Sequence, residues 1–161
     1  MNEASEVTEI PQVLKRYMEG LKTHDVALIG QTVADDVKFV SAAATLDKDQ
    51  FLDMLRALYR GFPDWHYKHD EPQIRDEENG RVIAIKWRQG GTHKGVFEWP
   101  GLAQLEPIAP TGKRVIIPEH FFFYKVLPGN GDRIIEIRPE PIKGGAPGGI
   151  LEQIGISAPP V

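Results

Sequence analysis

Residues 117–127 read IPEHFFFYKVL, and the fold turns on how that stretch is placed. Three consecutive phenylalanines, Phe121–Phe123, cannot all lie on a solvated surface, so the segment reads as a strand covered on both faces. A carboxylate and an imidazole stand just ahead of them, as Glu119 and His120. An unpaired buried charge costs on the order of several kcal/mol, so each needs a partner or a chemical task. Alternation puts His120, Phe122 and Tyr124 on one face and Glu119, Phe121 and Phe123 on the other. Only one of the polar pair then points inward, unless Pro118 marks a bulge that changes the phase. The face ending in the Tyr124 hydroxyl suits a pocket wall, which makes His120 the inward residue. Phe121 and Phe123 are left for helix packing or a partner subunit.

Around this strand the period of the sequence is that of a sheet. The stretch RVIAIKWRQGGTHKGVF (81–97) sorts by parity, with Ile83, Ile85, Trp87, Gln89 and His93 on one side and Val82, Ala84, Lys86, Arg88 and Lys94 on the other. It reads as a strand pair or one long bent strand, with Gly90–Gly91 as the expected kink or bulge. WHYKHDEPQI (65–74) alternates in part, and EWPGLAQLEPIAPTGKR (98–114) reads as a loop. PGNGD (128–132) reads as a hairpin turn into RIIEIRPE (133–140).

Upstream the period becomes helical. Val13, Leu14, Tyr17, Met18 and Leu21 form one apolar face, in a helix that Pro11 helps to open and that Ser5 or Thr8 could cap. Thr23 or Asp25 could cap a second helix carrying Val26, Ile29 and Val33. Asp47 and Gln50 spell a capping box before the strongest stripe in the chain, Phe51, Met54, Leu55, Leu58, Tyr59 and Phe62, which Gly61 and Pro63 end. From about residue 143 the glycines read as a flexible tail with a short apolar end, ILEQIGI (150–156). Helices first and strands afterwards predict an α+β fold, helices packed on one face of a mostly antiparallel sheet whose concave side can hold an apolar pocket.

Composition narrows the function classes. The 161 residues suit one domain over 1–161. Net charge is −4 and no basic run exceeds two residues, which argues against nucleic acid as a partner. No apolar run approaches the roughly 20 residues of a membrane span. The chain has no cysteine, which removes disulfides and thiolate chemistry and suits a cytoplasmic location. No His/carboxylate spacing resembles a metal site; His66 and His69 lie three apart on a strand and so face opposite ways.

Five stretches resemble the SnoaL-like polyketide cyclase branch of the nuclear transport factor 2-like superfamily, in that family's order: ADDVKF, GFPDWHY, GGTHKGVF, PTGKRVIIP, and DRIIEI followed by LEQIGI. The resemblance implies a cone-shaped half barrel, a strongly curved sheet wrapped by the N-terminal helices around an elongated hydrophobic cavity. It implies acid/base chemistry without metal, nucleotide or other cofactor, and a homodimer formed through the outer sheet face. Two departures stand out. The loop between GGTHKGVF and PTGKR is long and apolar. In EIRPEP, Arg138 stands where relatives carry a tryptophan, and no aspartate follows in the place of the cyclases' acid/base residue.

The residues that could carry chemistry follow. His120, neutral in an apolar pocket, could be a general base or acid, or a structural histidine bonded to a carbonyl or a glutamate. Arg138 could stabilise an enolate oxygen or pair with Glu136, Glu140 or Glu119. Tyr124 is the second candidate for stabilising charge on oxygen. Tyr17, Tyr59, Trp65, Trp87, His93 and Phe122 are the candidate substrate-binding walls, with His93 nearer the rim and Tyr17 offering a phenol where this fold commonly does. The expected reaction is cofactor-independent proton transfer on a hydrophobic, ring-bearing small molecule: isomerisation, dehydration, elimination or aldol cyclisation. The alternatives are a non-catalytic binding or dimer-scaffold module and, third, an epoxide hydrolase.

Overall fold

The computed structural model describes residues 10–41, 44–77, 80–98, 106–126, 133–145 and 148–156. Helix α1 (Gln12–Thr23) buries Val13, Leu14, Tyr17, Met18 and Leu21, the expected face. Pro11 occupies its N-cap position and makes no side-chain cap; Ser5 and Thr8 lie outside the described residues. Of the two cap candidates for α2 (Val26–Thr32), Asp25 is the one used, accepting a 3.0 Å bond from the Leu28 amide. Helix α3 (Lys48–Gly61) opens with the reciprocal bonds of the Asp47–Gln50 capping box, 2.9 and 3.0 Å long. Its apolar stripe, Phe51 to Leu58, faces the sheet.

The strands are β1 (Val33–Val40), β2 (Thr45–Leu46), β3 (His66–His69), β4 (Gln73–Glu77), β5 (Gly80–Thr92), β6 (Arg114–Val126) and β7 (Ile134–Pro139). They form one mixed sheet in the order β2-β1-β7-β6-β5-β3, with β4 also paired to β5. All pairings are antiparallel except β1 with β7. Strands β3 and β4 share one edge of β5, and the sheet does not close on itself. The helices cover one face, where Leu14, Ile29, Ile83, Ile85, Ile134 and Ile137 have no exposed surface. Each such side chain stabilises the fold by about 1.5–3 kcal/mol on leaving water.

Residues 80–92 are one long strand, and its irregularity falls elsewhere than at Gly90–Gly91. Trp87 pairs with His120 but Gln89 pairs with Ile117, so β6 carries an extra residue at Pro118–Glu119. Proline, which offers no amide to the ladder, tolerates such a bulge. Gly90 has a different use: a Cβ there would lie 2.7 Å from the Val115 carbonyl oxygen, so the glycine permits close strand approach.

Within the expected flexible tail, residues 148–153 form a helix. A short helix α4 (Gly148–Gln153) buries Ile150 and Leu151 in a second apolar cluster with Phe62, Trp65, Phe97 and Ile117. Here β7 is too short to cover the first half of β6, and Gln153 fills in, its amide donating to the Ile116 carbonyl (2.7 Å) and accepting from the Ile116 amide (2.8 Å). The expected turn at 128–132 and most of the apolar loop, 99–105, lie outside the described residues; a bridge between Phe97 and Ile108 ties the two sides of that loop. No described helix is long and apolar enough to cross a membrane.

Candidate functional site

The chain's four tyrosines come from α1, α3, β3 and β6 and converge between helices and sheet. Trp87, buried on the inner face of β5, donates its indole N–H to the Tyr124 hydroxyl at 2.8 Å. Tyr17 packs edge-on against Tyr124, centroids 5.3 Å apart. Tyr59 and Tyr67 share a second hydrogen bond, hydroxyl to hydroxyl, of 2.7 Å. Tyr67 meets Trp87 edge-on at 5.5 Å, which joins the two pairs. Burial pushes all four phenols above their usual range. Near neutral pH they are therefore proton donors and not bases.

The basic group beside them is His120. The bulge at Pro118–Glu119 turns it onto the face of Phe122 and Tyr124, where it is 5% exposed. Its Nδ1 lies 2.9 Å from the Pro118 carbonyl oxygen. A carbonyl only accepts, so Nδ1 carries the hydrogen in the neutral ring and Nε2 holds the lone pair. The bulge thus both orients the ring and selects its tautomer. Glu119 goes the other way, pairing outside with Lys86 (3.6 Å) and Arg88 (3.4 Å), and Arg88 also holds Asp70 at 2.8 Å.

The remaining expected residues divide. Trp87, Phe122, Tyr17 and Tyr59 line the interior with His120, Phe122 half-buried and in contact with the imidazole at 5.1 Å. Tyr124 is there too but only 1% exposed, its oxygen already accepting the Trp87 indole N–H. Arg138 is not among them. Its register partner is Phe123, so it lies on the outer face, its side chain 52% exposed and paired with Glu136 at 3.3 Å. Alternation from Ile137, whose partner is Tyr124, dictates that outcome.

His93 and Trp65 belong to the second cluster. Trp65 donates to Gln89 at 3.3 Å and packs edge-on against Phe62. His93, expected near the rim, has no exposed surface and lies 5.3 Å from Phe62, nearly parallel. One group the pattern of the sequence did not mark is His24. His24 takes the left-handed conformation after α1 (φ 57°), stacks on Tyr59 at 3.9 Å and bonds the Trp65 carbonyl through Nε2. The contact of His24 with Tyr59 is tertiary and leaves no local signal. Among the described residues no three His, Asp or Glu side chains cluster to hold a metal ion.

Comparison with known proteins matches this arrangement to one fold. The structure is similar to a candidate polyketide cyclase from Pseudomonas putida KT2440 (TM-score 0.61, 12% identity, 88% of this chain and 95% of the other). It is likewise similar to a candidate SnoaL-like polyketide cyclase from Jannaschia sp. CCS1 (TM-score 0.60, 15% identity, 94% and 99%). AclR, a candidate hydroxylase from Streptomyces galilaeus, aligns with a TM-score of 0.60 at 18% identity over 89% and 78%. At such identities these likenesses carry the fold alone. A search of the curated proteins finds no match. The family model of the SnoaL-like domain matches residues 14–137. That span runs from the first helix to the last strand and takes in every tyrosine of the interior, and the chain belongs to the SnoaL-like domain family.

Proposed function

We propose that the protein is a cofactor-independent acid/base enzyme acting on a hydrophobic, ring-bearing small molecule, with His120 as the general base. The observation that carries this reading is the held imidazole: Nδ1 engaged by the Pro118 carbonyl, Nε2 left basic on the aromatic inner face. A neutral imidazole there could take a proton from carbon next to a carbonyl, the first step common to isomerisation, dehydration and aldol cyclisation. Neutral phenols nearby would receive charge on oxygen without adding charge of their own.

A test that needs no prior substrate uses bicyclic ketones such as 1-tetralone in D2O, with α-deuteration followed by NMR. The protein should accelerate exchange, and His120→Gln should lower the enzymatic rate at least about 100-fold. Exchange at the buffer rate, or a variant as fast as the parent, sinks the proposal.

A second reading, a non-catalytic binding or dimer-scaffold module, is favoured by one observation. Tyr17, Trp87 and Tyr124 pack against one another with only 1–2% of their surface exposed, so the deep interior is filled by the protein's own rings. The half-buried Phe121 and Phe123 of the outer face would then be the place for a second copy.

A further inference from the structure

The proposed chemistry puts negative charge on a substrate oxygen, and neither residue expected to receive it is available. Arg138 points away on the outer face, and the Tyr124 hydroxyl, on a side chain only 1% exposed, already accepts the Trp87 indole N–H. We propose that the Tyr59–Tyr67 hydroxyl pair is the binding site for an acceptor oxygen, the carbonyl or enolate of a cyclic ketone, with His24 positioning it. This rests on the reading of the interior as a small-molecule site.

Four observations combine. First, a pair of hydroxyls 2.7 Å apart contains two O–H hydrogens and uses one between them. Whichever way that bond runs, one hydrogen is left to donate, and among the described residues no acceptor meets it. Second, burial raises both phenols, so both hold their protons throughout the neutral range. A hydroxyl that already accepts a hydrogen bond is polarised and donates more strongly, which suits an oxygen gaining charge.

Third, these two tyrosines are half-buried and pack against both apolar clusters, whereas Tyr17 and Tyr124 are sealed inside one. The pair stands where the clusters meet, the part of the phenol group a guest can reach. Fourth, its geometry is held. His24 lies flat on Tyr59, planes within 3°, and is anchored by the Trp65 carbonyl, while Tyr67 abuts Trp87. A histidine in the left-handed region costs about 1 kcal/mol relative to glycine, and here the ring does what glycine cannot. Strand β5 lies between β3 and β6, and Tyr67 faces its Gln89 while His120 faces its Trp87, so the two groups stand two strand spacings and two residues apart, about 12 Å at the backbone.

The test compares 1-tetralone with tetralin, matched in shape and differing in the oxygen, by calorimetric titration of the full chain. The ketone should bind at least about tenfold tighter. Tyr59→Phe and Tyr67→Phe should each cut that preference to about threefold or less, with tetralin affinity unchanged, and His24→Gly should weaken it partway. The carbonyl stretch of bound tetralone should shift to lower wavenumber and return in the two phenylalanine variants. Tyr124→Phe should lower the melting temperature yet keep the preference, which separates binding from packing. His120→Gln should also keep it, so failed proton exchange with intact ketone preference removes the base and leaves this site standing. Equal affinity for ketone and hydrocarbon, no binding of either, or a preference lost in Tyr124→Phe but kept in Tyr59→Phe and Tyr67→Phe overturns the assignment.

Discussion

At the scale of single residues, His93 shows how a buried imidazole is kept neutral. The Thr111 amide donates to its Nδ1 at 3.2 Å and the Thr111 hydroxyl stands 2.9 Å from the same atom. A protonated Nδ1 would face that amide hydrogen with one of its own. Burial lowers the pKa, against a smaller opposing pull from the Ile108 and Gly95 carbonyls. The charged neighbours in sequence and across the turn are Lys94, Lys113 and Asp64; Asp64 instead accepts from the Thr92 amide at 2.7 Å. Since the folded pKa lies below the unfolded value of about 6.5, the unfolded chain binds the proton first. Stability from this group is complete above that value and falls as pH drops towards the folded pKa. Urea midpoints between pH 7.5 and 5 should therefore decline more steeply in the parent than in His93→Gln, by at most about 1.4 kcal/mol per pH unit. Parallel curves would show that His93 takes no part.

The same scale shows what the sequence makes legible. Alternation read back from Tyr124 turns His120 inward, as found; read forward from Val115 and Ile117 it turns His120 outward. Only the pairing with β5 reveals the extra residue that reconciles the two. Arg138 was marked by its chemistry, but the phase of its strand decides where it points. The Tyr59–Tyr67 bond joins a helix to a strand and has no periodicity to announce it.

Among elements, the C-terminal segment departs most from its composition. Glycine and proline around residues 144–149 suggest a loose tail, yet Ile150, Leu151 and Ile154 supply enough apolar surface to dock α4. The Gln153 amide then imitates a strand's backbone, giving Ile116 the donor and acceptor that β7 would have offered had it been longer. Gln153→Ala should cost about 1–2 kcal/mol and lower the melting temperature by about 2–8 °C, because both groups of Ile116 revert to solvent. Gln153→Glu keeps the acceptor and loses the donor, so it should fall between. A melting temperature unchanged in both variants would mean the edge is protected by α4 packing alone. The helices, by contrast, were legible almost residue by residue, since caps and 3.6-residue stripes are local properties.

For the whole molecule, the two apolar clusters lie on either side of Tyr59 and Tyr67; strand β6 supplies residues to both, and β5 to the first. Amide exchange followed by mass spectrometry should be slowest over 82–85 and 121–124 and fastest at the two-residue edge strand β2. Early exchange of the β5–β6 centre would contradict a core organised on those strands. The fold class was legible as helices followed by strands; the order of the strands was not, because β1 joins β7 across all the other strands of the sequence.

That parallel pair, Val33 with Ile134 and Phe39 with Ile137, has a consequence for biosynthesis. As the polypeptide leaves the ribosome, the first helices and β1 emerge with one flank lacking its mate, and β7 is translated only after all the other strands. Helical turns can form early, but the sheet cannot be completed until β7 has emerged, so a chain stalled before it exposes a sticky ribbon edge throughout its wait.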